Sequence, residues 1–296
     1  MTRIAFLACM TTLPGAGERR GDAHEHDLTI AALAPPFAAA RLALEVIDWE
    51  SPIERFDGCA GVLLGTAWNY QDAPSAFVAR LEELAARGIH VFNPPDLVRW
   101  NLSKTYLREL AERDVRTVPT RWLKDVDSDD IAAAMAQWDA EALVIKRQVG
   151  AGALGQILVR HGELPGGGWR FGHAAMVQPY LPAIADEGEL SFVFIDGALS
   201  HALRKRPARG DYRIQSLYGG TEEAHAPSPE EVSTARAVLA ALPAPAPLYA
   251  RIDMVRADDG ALLLMEAELI EPYLYPEQGP QLGSHLAQAL AKRLQI

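Results

Sequence analysis

Three carboxylates near the C-terminus carry the densest chemistry in the chain. Asp253 lies in Arg251-Ile252-Asp253-Met254-Val255-Arg256, and Glu266 and Glu268 close the run Ala261–Glu268 that follows Asp258-Asp259-Gly260. A strand alternates its faces, so Glu266 and Glu268 point the same way. With the chain turning through Asp258-Asp259, Asp253 falls opposite Leu264 and diagonal to Glu266. It then shares the acidic face with Leu262 and Leu264, and a slip of one residue breaks the arrangement. Three carboxylates among apolar neighbours repel one another and resist desolvation, and a hard divalent cation relieves both costs. Such oxygen donors suit Mg2+, or Mn2+, better than zinc. The plain alternative is a solvated outer face, against which the leucines weigh. Glu271-Pro272 follows, either to contact substrate or to begin a turn.

A second group is basic. Lys146 ends the apolar run Ala142–Ile145, the placement of a point-charge phosphate ligand. Gly150, Gly152 and Gly155 follow in a flexible loop whose amides could close on a polyphosphate. The loop matches neither the G-x(4)-G-K-[ST] order nor the dinucleotide fingerprint, and an ordinary surface loop is the competing reading. His201, Arg204, Lys205, Arg206, Arg209 and Arg213 concentrate positive charge in a chain of net charge −11. They read as a pocket for phosphate or a substrate carboxylate, with Arg213 and then Lys205 the first candidates for catalytic contact, or as a solvated basic edge.

The elements that position these groups are α/β. Ile4–Cys9, Leu44–Trp49, Cys59–Leu64 and Ile89–Phe92 read as strands, and Pro74–Arg87 as a helix ending at Gly88. Leu28–Leu33 starts a helix that Pro35-Pro36 interrupts or restarts. Strands alternating with helices favour a parallel sheet. The loop from Gly65 to Tyr70 leaves a strand end, where ligands often bind, although Trp68 and Tyr70 could equally cap the core. A second region opens near Asn101, with Asn101 or Ser103 capping a helix to about Arg113. Ile131–Trp138 continues as helix and Leu143–Lys146 as strand. Ser191–Lys205 is a hairpin about Asp196-Gly197, Tyr249–Glu268 a second hairpin, and Leu282–Leu294 a terminal helix. The expected division is 1–95, 96–180 and 181–296.

Length and composition agree with an ordinary globular protein of 296 residues, 49% hydrophobic and 23% charged. The acidic balance argues against a general nucleic-acid binder. No long uncharged apolar run predicts a membrane span, and a cytoplasmic location is the simplest expectation. Cys9 and Cys59 have no metal-ligand partner at short spacing and are expected to be buried thiols.

Taken in order, Lys104, Lys146 with its Gly-rich loop, Gln178-Pro179-Tyr180-Leu181, Asp211/Arg213 and Asp253–Glu266–Glu268 resemble the ATP-grasp superfamily. The likeness is to its branch of bacterial glutathione synthetases and ribosomal S6 glutamate ligases. It covers about 90–290, with the first ninety residues fitting the family's leading α/β domain. The resemblance implies an ATP- and Mg2+-dependent carboxylate ligase of mixed α/β fold, working through an acyl phosphate on a small amino-acid-like substrate. By it, Lys104 and Lys146 contact ATP phosphates, Gln178 to Leu181 form the adenine hinge, and Glu187 or Glu189 takes the ribose. The last metal pair is usually Glu-x-Asn; here it reads Glu266-Ala267-Glu268. The Gly that commonly follows Pro is also missing, since Ile270-Glu271-Pro272-Tyr273 stands there. Trp68-Asn69-Tyr70, Ser200-His201-Ala202, Arg204 to Pro207 and Leu269 to Pro272 also resemble the branch that closes the ring of the antibiotic D-cycloserine. That likeness implies cyclisation of an O-ureido-serine. A homodimer is common in the family. The alternatives are a nucleotide-binding module without ligase activity and a small-molecule phosphotransferase.

Overall fold

The computed structural model describes every residue except Ala16, Ala151, Ala153 and Leu154. Alternation of apolar strands and helices builds the N-terminal unit: β1 (Thr2–Ala8), α1 (Ala23–Ala39), β2 (Leu42–Asp48), β3 (Cys59–Thr66), α2 (Pro74–Ala86) and β4 (His90–Val91). The strands pair in parallel, as the sequence pattern predicts, and stand in the order β2-β1-β3-β4. Cys9 and Cys59 are buried free thiols. The expected break at Pro35-Pro36 does not occur, because α1 runs through both prolines. Pro36 cannot donate to the Ala32 carbonyl, and the C-terminal helix approaches that point through Gly283. A Cβ on Gly283 would lie 2.4 Å from the Ala32 oxygen, so only glycine permits the approach.

Two short helices follow, α3 (Pro95–Asn101) and α4 (Tyr106–Glu112). Asn101 ends α3 and caps no helix, and Ser103 is not the cap residue of α4 either, contrary to expectation. The buried Asn101 amide instead donates to the Ala267 carbonyl and accepts from the Leu269 N–H. The middle unit comprises β5 (Arg121–Leu123), α5 (Ser128–Trp138), β6 (Ala142–Arg147), β7 (Ile157–Arg160) and β8 (Ala175–Pro179), with α6 (Ala183–Asp186) after it. Its sheet is antiparallel, ordered β5-β8-β6-β7. An Asp127/Asp130 capping box starts α5.

The third sheet is ordered β11-β10-β9-β12-β13. Its parts are β9 (Glu189–Ile195), β10 (Ala198–Arg206), β11 (Thr221–His225), α7 (Pro229–Ala241), β12 (Tyr249–Arg256) and β13 (Leu262–Glu268), followed by α8 (Leu282–Leu294). Positive φ at both Asp196 and Gly197 gives the tight turn that joins β9 to β10. One face of this sheet sends Val193, Ile195 and Leu203 into the core of the N-terminal unit, which α8 joins through Leu282, Leu286 and Leu290. The opposite face packs Phe192, Phe194 and Ile252 with Leu107 and Leu110 of α4. The buried Asn93 side chain ties the units together by donating to the Tyr249 and Leu269 carbonyls. Among the described residues no helix is long and apolar enough to cross a membrane.

Candidate active site

The acidic hairpin forms in a register different from the expected one. Asp253 stands directly opposite Glu266, and Arg251 opposite Glu268, because a bulge inserts Met265 between the pairs Asp253–Glu266 and Met254–Leu264. The extra residue reverses the faces beyond it. Leu262 and Leu264 turn into the core with Ile252 and Met254 and do not share the acidic face. Leu263 joins Val255 and Met265 in another cluster. As the last strand of its sheet, β13 is held along its free edge by Asn101, by the Tyr106 hydroxyl accepting from the Ala267 N–H, and by backbone bonds between Leu264 and the 116–118 segment.

Each acidic residue on this face has a cationic neighbour. The Arg251 guanidinium donates through Nε and Nη2 to both Asp253 oxygens at 2.9–3.0 Å, and through Nη2 to Glu268. Ser191 Oγ donates to Asp253 at 2.5 Å. Lys205 Nζ lies 2.5 Å from Glu189 and 3.4 Å from Asp253. Lys104 pairs with Glu266 at 2.8 Å. Burial alone would push these carboxyls up, but Arg251 and Lys205 hold Asp253 below its usual range, and Lys104 and Lys146 do the same for Glu266. Glu268 remains raised by burial despite Arg251. Asp253, Glu266 and Glu268 line one cavity, in the bulged register and with Arg251 bonded to both Asp253 and Glu268, and they do not form a tight group of three metal-ligating side chains among the described residues. Glu266 and Glu268, which face the cavity beside one another, retain the hard-oxygen chemistry that fits Mg2+.

These groups line a cavity of about 340 Å³. Its apolar wall includes Val118, Val144, Leu181, Ile184, Ile214 and Met265, and Gln178 to Leu181 lie on its rim. The Gln178 amide donates to Thr120 Oγ1 at 2.9 Å, which fixes the end of β8. Lys146 enters at the end of β6 with no carboxylate in ion-pair reach among the described residues. Burial pulls its ammonium below the ordinary lysine range, opposed by Glu266 and reinforced by Lys104. Gly152 lines the cavity at φ +62°, whereas Ala151, Ala153 and Leu154 of the same loop lie outside the described residues.

The remaining expected groups divide. Glu189 faces the cavity, bound to Lys205; Glu187 does not line it, and is held by Arg256 at 2.8 Å and by Arg204 at 3.7 Å. Alternation along β10 turns Lys205 to the cavity and Arg204 and Arg206 to Glu223, while Arg213 reaches the cavity from the segment that follows β10. His201 donates through Nε2 to the Leu274 carbonyl, and burial lowers it to about 4, so it is neutral. Arg213 is braced by Asp211 and lies 3.7 Å from the centre of the Tyr218 ring. Trp68 lines the cavity and donates to the Glu271 carbonyl, whereas Tyr70 packs into the core against Phe77.

Two family models match the chain. D-cycloserine synthetase DcsG, N-terminal domain, matches residues 4–93, and prokaryotic glutathione synthetase, ATP-grasp domain, matches 169–264. The cycloserine biosynthesis protein DcsG of Streptomyces lavendulae is 30% identical over 278 residues, spanning 86% of this chain and 89% of that protein. The chain belongs to the ATP-grasp superfamily, in the branch that contains DcsG. Its fold agrees with the crystal structure of D-cycloserine synthetase DcsG at a TM-score of 0.81, with 24% identity over 99% of both chains. It also agrees with the D-alanine–D-alanine ligase of Bacillus anthracis at 0.68, with 15% identity over 100% of this chain and 98% of that one.

This ATP-grasp protein is an ATP-dependent ligase of mixed α/β fold. Its cavity includes groups that the sequence reading passed over. Arg251 stands at the centre of the acidic face, and its parity with Asp253 on β12 was the available signal. The N-terminal unit contributes Arg20, Asp22 and Glu25, and the segment after β13 contributes Tyr273 and Tyr275. Nothing local in the sequence marks these residues, because the chain brings them to the cavity only on folding.

Proposed function

We propose that this ligase activates the carboxylate of a small amino-acid-like substrate with ATP and closes a ring, converting O-ureido-D-serine to D-cycloserine. The observation that carries the reading is the match to DcsG along nearly the whole chain, which includes an N-terminal unit whose own side chains wall the cavity. In this reading the apolar wall and the Gln178–Leu181 rim take adenine, and Glu189 is placed for the ribose. Lys104 and Lys146, with the Gly152 loop, hold the phosphates. Glu266 and Glu268, with Asp253 on the same wall, would hold Mg2+, which would offset the phosphate charge.

The substrate carboxylate attacks the γ-phosphorus and ADP leaves. The oxygen-bound nitrogen of the ureido group then attacks the acyl carbon, gives up its proton and displaces phosphate, and water removes the carbamoyl group from that nitrogen as carbon dioxide and ammonia to leave D-cycloserine. Arg213, oriented by Asp211, supports the negative charge that develops on the acyl oxygen. Lys205, already bound between Glu189 and Asp253, acts by keeping those carboxylates in place. The enclosing walls limit water at the acyl phosphate. The test is ADP release from Mg2+-ATP with O-ureido-D-serine, with the product weighed by mass spectrometry. A ring made from one substrate molecule agrees with the proposal; a joined product or a stable phosphorylated compound contradicts it.

A further inference from the structure

Beyond β13 the chain crosses the cavity wall without helix or strand, as a strap from Leu269 to Gly279 that brings Tyr273 and Tyr275 to the cavity. The Tyr275 ring centre lies 5.6 Å from Lys205 Nζ and 5.5 Å from the Arg251 guanidinium carbon. Tyr273 stands 4.6 Å from it, centre to centre, and feels the charge of Glu25 of α1. The two rings therefore wall the cavity between the acidic face and the N-terminal unit.

Side chains hold the strap by its backbone. Four carbonyls in five residues each accept a hydrogen bond: Ile270 from the Tyr249 hydroxyl at 2.7 Å, Glu271 from the Trp68 indole at 3.0 Å, Tyr273 from Arg251 Nη1 at 2.8 Å and Leu274 from His201 Nε2 at 2.9 Å. Packing contributes less there. Behind Pro272, Tyr273 and Leu274 lies a second cavity of about 30 Å³, lined also by Leu33 of α1, Thr66 of β3 and Leu286 of α8. Atoms beside a void forfeit contacts on that side, so the bonds to the carbonyls decide where the strap sits.

Among the four donors, His201 is set apart from the chemistry. It does not line the cavity, whereas Arg251 and Trp68 do. Its ring lies against the far end of the strap, where a Cβ on Gly279 would collide with the imidazole. The Gly279 N–H in turn donates to the Tyr275 carbonyl at 3.0 Å, so the ring touches both ends of the segment that carries the tyrosines. Burial keeps His201 neutral. With its proton on Nε2, its Nδ1 must accept, and Ser200 Oγ supplies the hydrogen at 3.1 Å. The Ser200 hydroxyl has a single hydrogen to give, so its contact with His285 Nδ1 at 2.9 Å is one in which the α8 histidine donates. The chain of donors from His285 through Ser200 to His201 thus fixes the tautomer that reaches Leu274.

We propose that His201 is a positioning residue for the amino-acid substrate: through the Leu274 carbonyl, with Ser200 and His285 fixing its tautomer, it sets where Tyr273 and Tyr275 stand in the cavity. The inference rests on the ligase reading above and adds a residue that acts on the substrate only through the strap.

The experiment measures ADP release by wild type, His201→Leu, His201→Gln and Gly279→Ala, with ATP and the amino acid varied in turn, beginning with O-ureido-D-serine. Thermal melting checks that each variant folds. Leucine fills the space without a donor, whereas the glutamine amide can still donate to Leu274. Loss of one hydrogen bond predicts a KM for the amino acid raised about tenfold in His201→Leu, with the KM for ATP unchanged. His201→Gln should recover most of that loss, and Gly279→Ala, which presses on the ring from the strap, should raise the same KM. A wild-type KM for the amino acid in His201→Leu overturns the inference, as does an equal rise in both KM values or a His201→Gln no better than His201→Leu. Should His201→Leu not fold, a wild-type KM in Gly279→Ala overturns it. No ADP release by wild type with any amino acid overturns the functional reading and this inference with it.

Discussion

Inside the cavity most charges are matched before a ligand arrives, and the mismatches indicate where ligands bind. Lys146 is the unpaired lysine. Replacing it with Met is expected to raise the KM for ATP about tenfold or more, read from ADP release at varied ATP. Glu266 faces the cavity from β13 with Lys104 as its partner, so Glu266→Gln should lower ADP release about a hundredfold while thermal melting stays close to wild type. Glu271 is held up to about 8 by burial, then by Glu268, and so stays protonated through neutral pH. Its carboxyl binds a proton in the folded protein that the unfolded chain has lost above about pH 4.3. Stability from this group is therefore full at pH 4, declines as pH rises towards 8, and is flat beyond. Glu271→Gln should melt higher relative to wild type at pH 8 than at pH 5; an advantage that shrinks with rising pH would contradict the assignment. At this scale the sequence exposed the acids and lysines, because spacing and apolar company mark them. It did not expose Arg251, which neutralises two of the acids from a position that reads as an ordinary alternating residue.

The elements convert residue spacing into geometry, and small irregularities decide the result. A single bulged residue, Met265, sets Asp253 opposite Glu266 and sends Leu262 and Leu264 into the core. A period-two pattern has no mark for an inserted residue, so that register was not legible. Pro35-Pro36 reads as a break, yet packing against Gly283 of α8 carries the helix through. The Ser228/Glu231 capping box of α7 was visible in the sequence and was passed over. Parallel pairing in the N-terminal sheet and the Asp196-Gly197 hairpin were legible, from periodicity and turn chemistry, whereas the strand order was not. Asn101 ties α3 to β13 through two buried side-chain hydrogen bonds, one to the Ala267 carbonyl and one from the Leu269 N–H. Asn101→Ala should cost about 2 kcal/mol in denaturant unfolding. It should also lower ADP release, since Glu266 and Glu268 lie on the strand it holds.

In the whole molecule the cavity wall draws on the N-terminal unit, the middle sheet and the C-terminal sheet. Asn93, α8 and the Trp68–Glu271 bond fasten the first of these to the last. This explains why the cavity's lysines and acids from residue 104 onward were readable along the chain while the groups supplied by the N-terminal unit were not. Arg20, Asp22 and Glu25 reach the cavity only on folding, beside Gln215 and Glu222, about two hundred residues away in sequence. The central claim is a ligase that turns one amino-acid-like molecule into a ring using ATP. The most direct measurement is Mg2+-dependent ADP release with purified protein and O-ureido-D-serine, followed by the mass of the product. ADP release that requires the substrate, with a cyclic product made from a single substrate molecule, is the expected result. ADP release with a product joining two molecules, or no substrate-dependent ADP release, would contradict it.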